Sequence, residues 1–242
     1  MDTRVIRTRI NHIMKITYYG HSCFQVDVAG KKLLFDPFIT PNPFASHIEL
    51  KRLNPDYIFI SHGHFDHTAD AENLLKASQA TLIGCFEVVE WFARKGIQHR
   101  QAMNIGGTMN FDFGSITFTN ALHSSSMPDG SYGGQPGGFL VKTKEGNFYY
   151  SGDTGLTYDM KLLAAGTPLL FAVLCLGDVF TMGVQDAITA AQWIGCKEIL
   201  GVHYNTFPAI QIDGEEAKEA FQKKGLNLHL LSIGSTWEPI FS

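Results

Sequence analysis

The stretch SHGHFDHT, residues 61–68, places three histidines and one aspartate within six positions. It follows the apolar run DYIFI, residues 56–60, whose composition is typical of a buried strand, and it precedes a polar stretch with helical spacing. One histidine here would be unremarkable, because it could serve as a turn cap or as a solvated polar group. Four ligand-type side chains in six residues favour a metal site instead.

The turn at Gly63 determines how these side chains can point. A tight turn can aim His62 and His64 in one direction and Asp66 and His67 in another. That geometry suits two adjacent metal ions better than one. Two ions need more ligands than this stretch supplies.

Three further candidates lie at the ends of other predicted strands. His123 ends SITFTNALH, Asp153 ends NFYYSGD and His203 ends EILGVHY. Each lies where an apolar strand gives way to a loop, which is where rigid scaffolds usually carry functional residues. Taken alone, His123 also fits a buried structural histidine.

The order of these motifs resembles the metallo-β-lactamase superfamily. HxHxDH comes first, then a lone histidine, then an aspartate in SGDT, then a histidine after a strand. The match runs from about Met14 to the C-terminus. Within the superfamily, YYGHSCF, LLFDP and SGDT resemble the metal-dependent hydrolase branch related to the ascorbate-phosphate lactonases.

The resemblance implies a role for each candidate. It assigns one metal to His62, His64 and His123, a second metal to Asp66, His67 and His203, and a bridging position to Asp153. Asp36, at the end of KKLLFD, would orient a ligand histidine without touching metal. Its alternative is an Asx-turn before Pro37.

We predict catalytic roles for Asp66, Asp153 and His21. His21 lies in GHSCF at a strand end, where it can bind substrate or donate a proton. It fits a hydrogen-bonded turn residue equally well.

Strand-type runs fill the first third of the chain, and strands alternate with helices in the last third. With the resemblance, this predicts an α+β fold, a four-layer αβ/βα sandwich of two mixed sheets flanked by helices. We expect a single domain over residues 14–242 and an N-terminal extension over residues 1–13. Thr68 is predicted to cap the helix TADAENLLKAS.

The expected cofactor is a pair of divalent transition-metal ions, and the nitrogen and oxygen ligands suit Zn, Mn, Ni or Fe. Such a pair shares a water and lowers its pKa, so the bridging hydroxide can cleave an ester, lactone or phosphoester. Loops carrying Phe38, Phe44 and Phe207 suggest a partly apolar pocket for a small substrate. Ordinary loops covering sheet edges are the equal alternative.

Other functions fit less well. A nuclease or phosphodiesterase like ribonuclease Z needs a basic surface, whereas the formal net charge is −4, so we expect no nucleic-acid partner. A flavodiiron oxidoreductase typically has Glu at the position of His64, and a non-catalytic metal-binding protein would tend to lose ligands. Four cysteines without a CxxC pair, and no apolar run of membrane length, predict a cytoplasmic protein without a membrane partner. The sequence does not distinguish a monomer from a homo-oligomer.

Overall fold

The structure is a computed structural model that describes residues 14–163, 166 and 168–240, so the predicted extension over residues 1–13 lies outside the described residues. Its strands are β1 (Lys15–Gly20), β2 (Cys23–Val28), β3 (Lys31–Phe35), β4 (Tyr57–Ile60), β5 (Thr81–Cys85), β6 (Arg100–Met103), β7 (Thr108–Phe111), β8 (Gly114–Asn120), β9 (Gly137–Lys142), β10 (Asn147–Tyr150), β11 (Phe171–Cys175), β12 (Glu198–Val202), β13 (Asn227–His229) and β14 (Thr236–Trp237). Its α-helices are α1 (Phe65–Thr68), α2 (Ala71–Ser78), α3 (Phe86–Arg94), α4 (Met160–Leu163), α5 (Val184–Ile194) and α6 (Gly214–Gln222).

The strands form two seven-stranded mixed sheets. The first sheet has the order β14-β1-β2-β3-β4-β5-β6, and the second has the order β13-β12-β11-β10-β9-β8-β7. In each sheet, antiparallel hairpins give way to parallel neighbours, at β3–β4 in the first and at β10–β11 in the second. The two sheets therefore follow the same plan along the chain, with antiparallel strands first and parallel strands after them.

Aromatic side chains hold the two sheets together. Phe35 of the first sheet packs edge-on against Phe139 and Phe148 of the second, with ring centroids 6.0 and 5.9 Å apart. Phe59 likewise contacts Phe139 at 5.3 Å. All these rings are fully buried. Burying a ring of this size contributes about 1.5–3 kcal/mol each, so this aromatic layer is a main source of stability.

Helices cover the outer face of each sheet. Leu74 of α2 and Val88 and Phe92 of α3 are buried against the first sheet, and Ile188 of α5 and Phe221 of α6 against the second. The predicted four-layer sandwich is confirmed. Among the described residues, no helix has both the length and the apolar character that a membrane crossing requires.

Two local features differ from the prediction. Thr68 does not cap α2, since it ends the short helix α1 and its hydroxyl donates to the His64 carbonyl at 3.0 Å. Asp70 takes the cap position, and its carboxylate instead accepts from the amides of Ile39 and Thr40. Helical structure thus begins at Phe65, inside the histidine-rich stretch, three residues earlier than the predicted cap.

Candidate metal centre

The predicted ligands come from the ends of strands in both sheets. The first sheet supplies the turn between β1 and β2, which carries His21, and the segment after β4, residues 61–68. The second sheet supplies His123 after β8, Asp153 after β10 and His203 after β12. All of these side chains meet in one place.

A first group contains His62, His64 and His123. One ring nitrogen from each lies within 4.8 Å of the others. His62 Nε2 is 2.9 Å from His64 Nδ1, and the His123 ring lies 5.0 and 5.1 Å from theirs, centroid to centroid. Three imidazoles facing one another at this spacing can hold a transition-metal ion.

A second group contains Asp66, His67, His203 and also His21. Asp66 Oδ2 is 3.0 Å from His21 Nε2, 3.9 Å from His67 Nε2 and 4.0 Å from His203 Nε2. The resemblance implied the first three residues as ligands of one ion, whereas His21 was predicted to bind substrate, donate a proton or form a hydrogen-bonded turn.

Asp153 lies between the two groups. Its Oδ2 is 2.9 Å from His203 Nε2 and 3.2 Å from His67 Nε2, and 3.8 Å from His123 Nε2. A carboxylate with this reach on both sides has the position that a bridging ligand needs.

Asp36 supports the centre from behind. Its Oδ2 lies 2.8 Å from His67 Nδ1 and accepts hydrogen bonds from Tyr150 at 2.6 Å and from the Ser61 hydroxyl at 2.5 Å. Its Oδ1 accepts from the Ser61 amide at 2.8 Å. The resemblance implied such a contact between Asp36 and a histidine predicted to bind metal, here His67. Nothing in the sequence pointed to Ser61 or Tyr150, since neither is a metal-ligand residue type.

Three residues of the centre adopt left-handed backbone conformations. The φ angles are 55° for His21, 41° for Asp36 and 55° for His203. Each such position costs of order 1–3 kcal/mol in a residue other than glycine, and such strain concentrates at functional sites. The surrounding fold therefore holds these side chains in place against a local preference for other conformations.

Burial and mutual repulsion set the charges of the histidines. Burial lowers the pKa of His62, His64 and His123, and it lowers the pKa of His21 to about 4. Burial also acts to lower the pKa of His67, but Asp153 and the other nearby carboxylates outweigh it and raise that pKa. Three neutral imidazoles in the first group are in the form that binds metal.

The carboxylates stay ionised. Burial acts to raise the pKa of Asp153, but His203 and His67 outweigh it and hold the pKa below its usual range. For Asp66, burial is likewise outweighed, by His67 and His21, and the pKa is lowered. Both groups are therefore anionic near neutral pH.

Unpaired buried atoms show that the centre fits divalent metal ions. Among the described residues, Asp153 Oδ1 is buried without a hydrogen-bond partner, and His67 Nε2 is buried with no contact of hydrogen-bond geometry, although Asp153 Oδ2 lies 3.2 Å away. Leaving such atoms unpaired costs about 1–3 kcal/mol each, a penalty that a bound cation removes. The imidazole and carboxylate donors match the preferences of Zn, Mn, Ni and Fe.

A cavity of about 390 Å³ opens onto the centre. It is lined by His64, Asp66, His123, Ser124, Asp153, Phe180, His203 and Phe207. Of the three predicted aromatic residues, only Phe207 lines it. Phe38 is buried behind it against the His21 ring, and Phe44 is exposed on the surface. Phe180, in the turn after β11, was not predicted to line the cavity.

Comparison with known proteins agrees with this geometry. The family model described as "Beta-lactamase superfamily domain" matches residues 31–204, more than half of the chain. The chain belongs to the β-lactamase superfamily. This confirms the predicted resemblance.

Relatives within the superfamily narrow the class. UPF0173 metal-dependent hydrolases are 50% identical in Methylacidiphilum infernorum (91% of this chain, 97% of the relative) and 47% identical in Flavobacterium johnsoniae (93% and 100%). The solved structure of Igni18, a metallo hydrolase from Ignicoccus hospitalis, has a TM-score of 0.86 and 31% identity, covering 95% of this chain and 99% of that one. The chain thus belongs to the metal-dependent hydrolases of the superfamily, as predicted.

Proposed function

We propose that this β-lactamase superfamily protein is a hydrolase with a dinuclear metal site that cleaves an ester, lactone or phosphoester bond in a small substrate. The observation that carries the proposal is the position of Asp153, whose Oδ2 lies within 3.8 Å of ring nitrogens from both groups of ligands. A shared carboxylate of this kind is typical of two-metal sites.

The proposed ligands follow the two groups. One ion would be held by His62, His64 and His123, the other by Asp66, His67 and His203, with Asp153 shared. When bound, such a pair lowers the pKa of a water molecule and withdraws charge from the bond that is cleaved. We propose Zn, Mn, Ni or Fe as the resident ion, because the donors are imidazole nitrogens and carboxylate oxygens.

The protein's own side chains prepare the reaction in other ways. The carboxylates of Asp66 and Asp153 line the cavity, and both are anionic. Phe180 and Phe207 give the cavity an apolar side, which fits an apolar part of a substrate. The His21 side chain has no exposed surface, does not line the cavity and lies 3.0 Å from Asp66.

The cavity favours a small molecule over a nucleic acid. Its lining, as far as the described residues go, includes neither lysine nor arginine, so a polyanionic substrate finds no counter-charge there. We also propose a cytoplasmic location, because all four cysteines lie in the described part of the chain and are buried free thiols.

Metal content tests the dinuclear site. We expect plasma mass spectrometry on purified, reconstituted protein to find about two transition-metal ions per chain. Asp153→Ala should bind about one or none while its circular dichroism stays native, because both ions lose a shared ligand. His229→Ala, which removes a histidine paired with Glu198 instead, is the control and should keep two.

Two results would contradict the proposal. Unchanged metal occupancy in Asp153→Ala would contradict the bridging role of Asp153. No metal uptake after reconstitution would contradict the proposed dinuclear hydrolase. The substrate class is tested next, with lactones, esters and phosphodiesters of small and polymeric size. Faster turnover of the large, charged polymers would rule out a small substrate.

A further inference from the structure

His21 is built into the centre more firmly than a turn residue needs. Its side chain has no exposed surface, and its ring lies 4.4 Å from the His203 ring, centroid to centroid. The His203 amide donates to the His21 carbonyl at 2.9 Å, which ties the β1–β2 turn to the end of β12. Phe38 and Phe207 pack edge-on against the ring at 5.5 and 5.4 Å.

The hydrogen bonds around His21 are compatible with a free Nε2. Thr206 Oγ1 is 3.3 Å from the Tyr204 carbonyl, to which the hydroxyl can donate. The same oxygen is 3.0 Å from His21 Nδ1 and can then accept from an Nδ1–H group. In the neutral ring with this tautomer, Nε2 carries a lone pair.

That lone pair faces a carboxylate oxygen. His21 Nε2 is 3.0 Å from Asp66 Oδ2, and two acceptors at this distance repel each other unless a cation lies between them. Two donor atoms that bind one ion at about 2.0–2.2 Å each are separated by roughly 3 Å. The observed spacing matches shared coordination.

We propose that His21 binds the second metal ion through Nε2. This ion then has three imidazoles, from His21, His67 and His203, and the carboxylate of Asp66, besides the shared Asp153. The inference rests on the proposed dinuclear site and adds a ligand that the superfamily pattern did not supply.

The extra ligand makes the two sites unequal. The second site would have four ligands of its own, whereas the first would have three histidines, with Asp153 shared. Both sites face the cavity, through His64 and His123 of the first and through Asp66 and His203 of the second. His21 does not line the cavity, so it acts on the ion and not directly on the substrate.

The competing role is a His21 with a proton on Nε2, which donates to Asp66 and touches no metal. The two roles differ in how many histidine rings bind metal. We would load the full chain with Co²⁺ and count the rings that show contact shifts, which pass only through metal–ligand bonds, using protein with ¹⁵N-labelled histidines. The proposal predicts six such rings, namely His21, His62, His64, His67, His123 and His203. The hydrogen bond to Asp66 predicts five.

His21→Asn is the variant that separates these roles. Asparagine tolerates the left-handed backbone that His21 adopts, so the turn can form. Its side chain is too short to take the place of Nε2. We expect five shifted rings, a changed Co²⁺ visible spectrum and at least tenfold weaker binding of one of the two ions. His229→Asn, outside the centre, should leave all three readouts unchanged.

The outcomes separate this inference from the proposed function. Two bound Co²⁺ ions with five shifted rings in both the native protein and His21→Asn would overturn the His21 assignment alone. Failure of the native protein to bind two ions would overturn the dinuclear site itself. Six rings in the native protein and five in the variant would support both.

Discussion

Asp36 shows how much a single buried carboxylate can organise. It accepts hydrogen bonds from the Ser61 amide and hydroxyl and from Tyr150, and it lies 2.8 Å from His67 Nδ1, all without solvent exposure. A carboxylate on Nδ1 fixes the orientation of the ring and raises the basicity of Nε2, the atom that faces the second site.

Asp36→Asn should therefore weaken metal binding without touching a ligand. The amide keeps the shape but cannot accept every hydrogen bond, and its NH₂ group meets other donors. We expect the affinity for the second ion to fall about 10–100-fold and the free energy of unfolding to fall by roughly 1–3 kcal/mol. Competition with a chelator and urea unfolding measure the two effects.

Tyr150→Phe is the matched comparison. It removes one hydrogen bond to Asp36 but leaves the carboxylate against His67. Metal affinity should stay within a few-fold of the native value. Equal losses in the two variants would mean that packing, rather than the carboxylate, orients His67.

The sequence was most informative at single residues whose chemistry is unusual. Four ligand-type side chains directly after one strand suit a metal site far better than an ordinary turn, so the HxHxDH stretch could be recognised directly. Ser61, Tyr150 and Thr206 could not, since each is common in any strand or loop and acquires its role only from contacts between distant segments.

Gly177 controls the spacing between the ends of β11 and β12. A Cβ atom at this position would collide with the His203 carbonyl oxygen and lie 2.8 Å from Ile210 Cβ. Backbone cannot move aside as a flexible side chain does. Gly177→Ala should therefore push His203 away from Asp153 and destabilise the fold by roughly 1–3 kcal/mol.

Urea unfolding tests the predicted loss of stability, and metal content tests the predicted displacement of His203. Gly155→Ala is the control, because its added Cβ would meet atoms no closer than 3.8 Å. We expect the control to keep native stability and two bound ions. Native metal content and native stability in Gly177→Ala would show that the strand ends tolerate the shift.

Elements were predictable where their apolar pattern was strong. The helices α3, α5 and α6 lie within the runs FEVVEWFARKG, GVQDAITAAQWIG and GEEAKEAFQKKG, whose apolar spacing and flanking glycines indicate a helix. The edge strands β6 and β14 were missed, because RQAM has few apolar residues and Thr236–Trp237 is only two residues long. They are strands because they pair with β5 and β1, and their own residue types do not indicate that pairing.

Over the whole molecule, the buried histidines predict a loss of stability in acid. Burial lowers the pKa of His21, His62, His64 and His123 below the value of about 6.5 in the unfolded chain. Below that pH the unfolded chain binds more protons, so the free energy of unfolding decreases as the pH falls. His67 acts oppositely: its raised pKa contributes stability below about pH 6.5 that is lost as the pH rises through the folded value.

Four histidines with lowered pKa values outnumber the one with a raised pKa, so we expect the free energy of unfolding to decrease in acid. Urea unfolding of EDTA-treated protein should show stability falling from about pH 6.5 toward pH 4, near the pKa of about 4 for His21. Asp66 and Asp153, with lowered pKa values, add stability above about pH 3.9 that is lost at still lower pH. Stability that instead rises as the pH is lowered through this range would show that His67 dominates.

The path of the chain between the sheets has a practical consequence. It passes from the first sheet to the second at the exposed turn around Gly106, and only β14 returns. A break at this turn would leave each ligand group divided, with His123 and His203 on one fragment and their partners on the other. Neither fragment alone carries a complete site, so metal uptake would report their reassembly, and this turn is the natural place to divide the protein into a two-piece sensor.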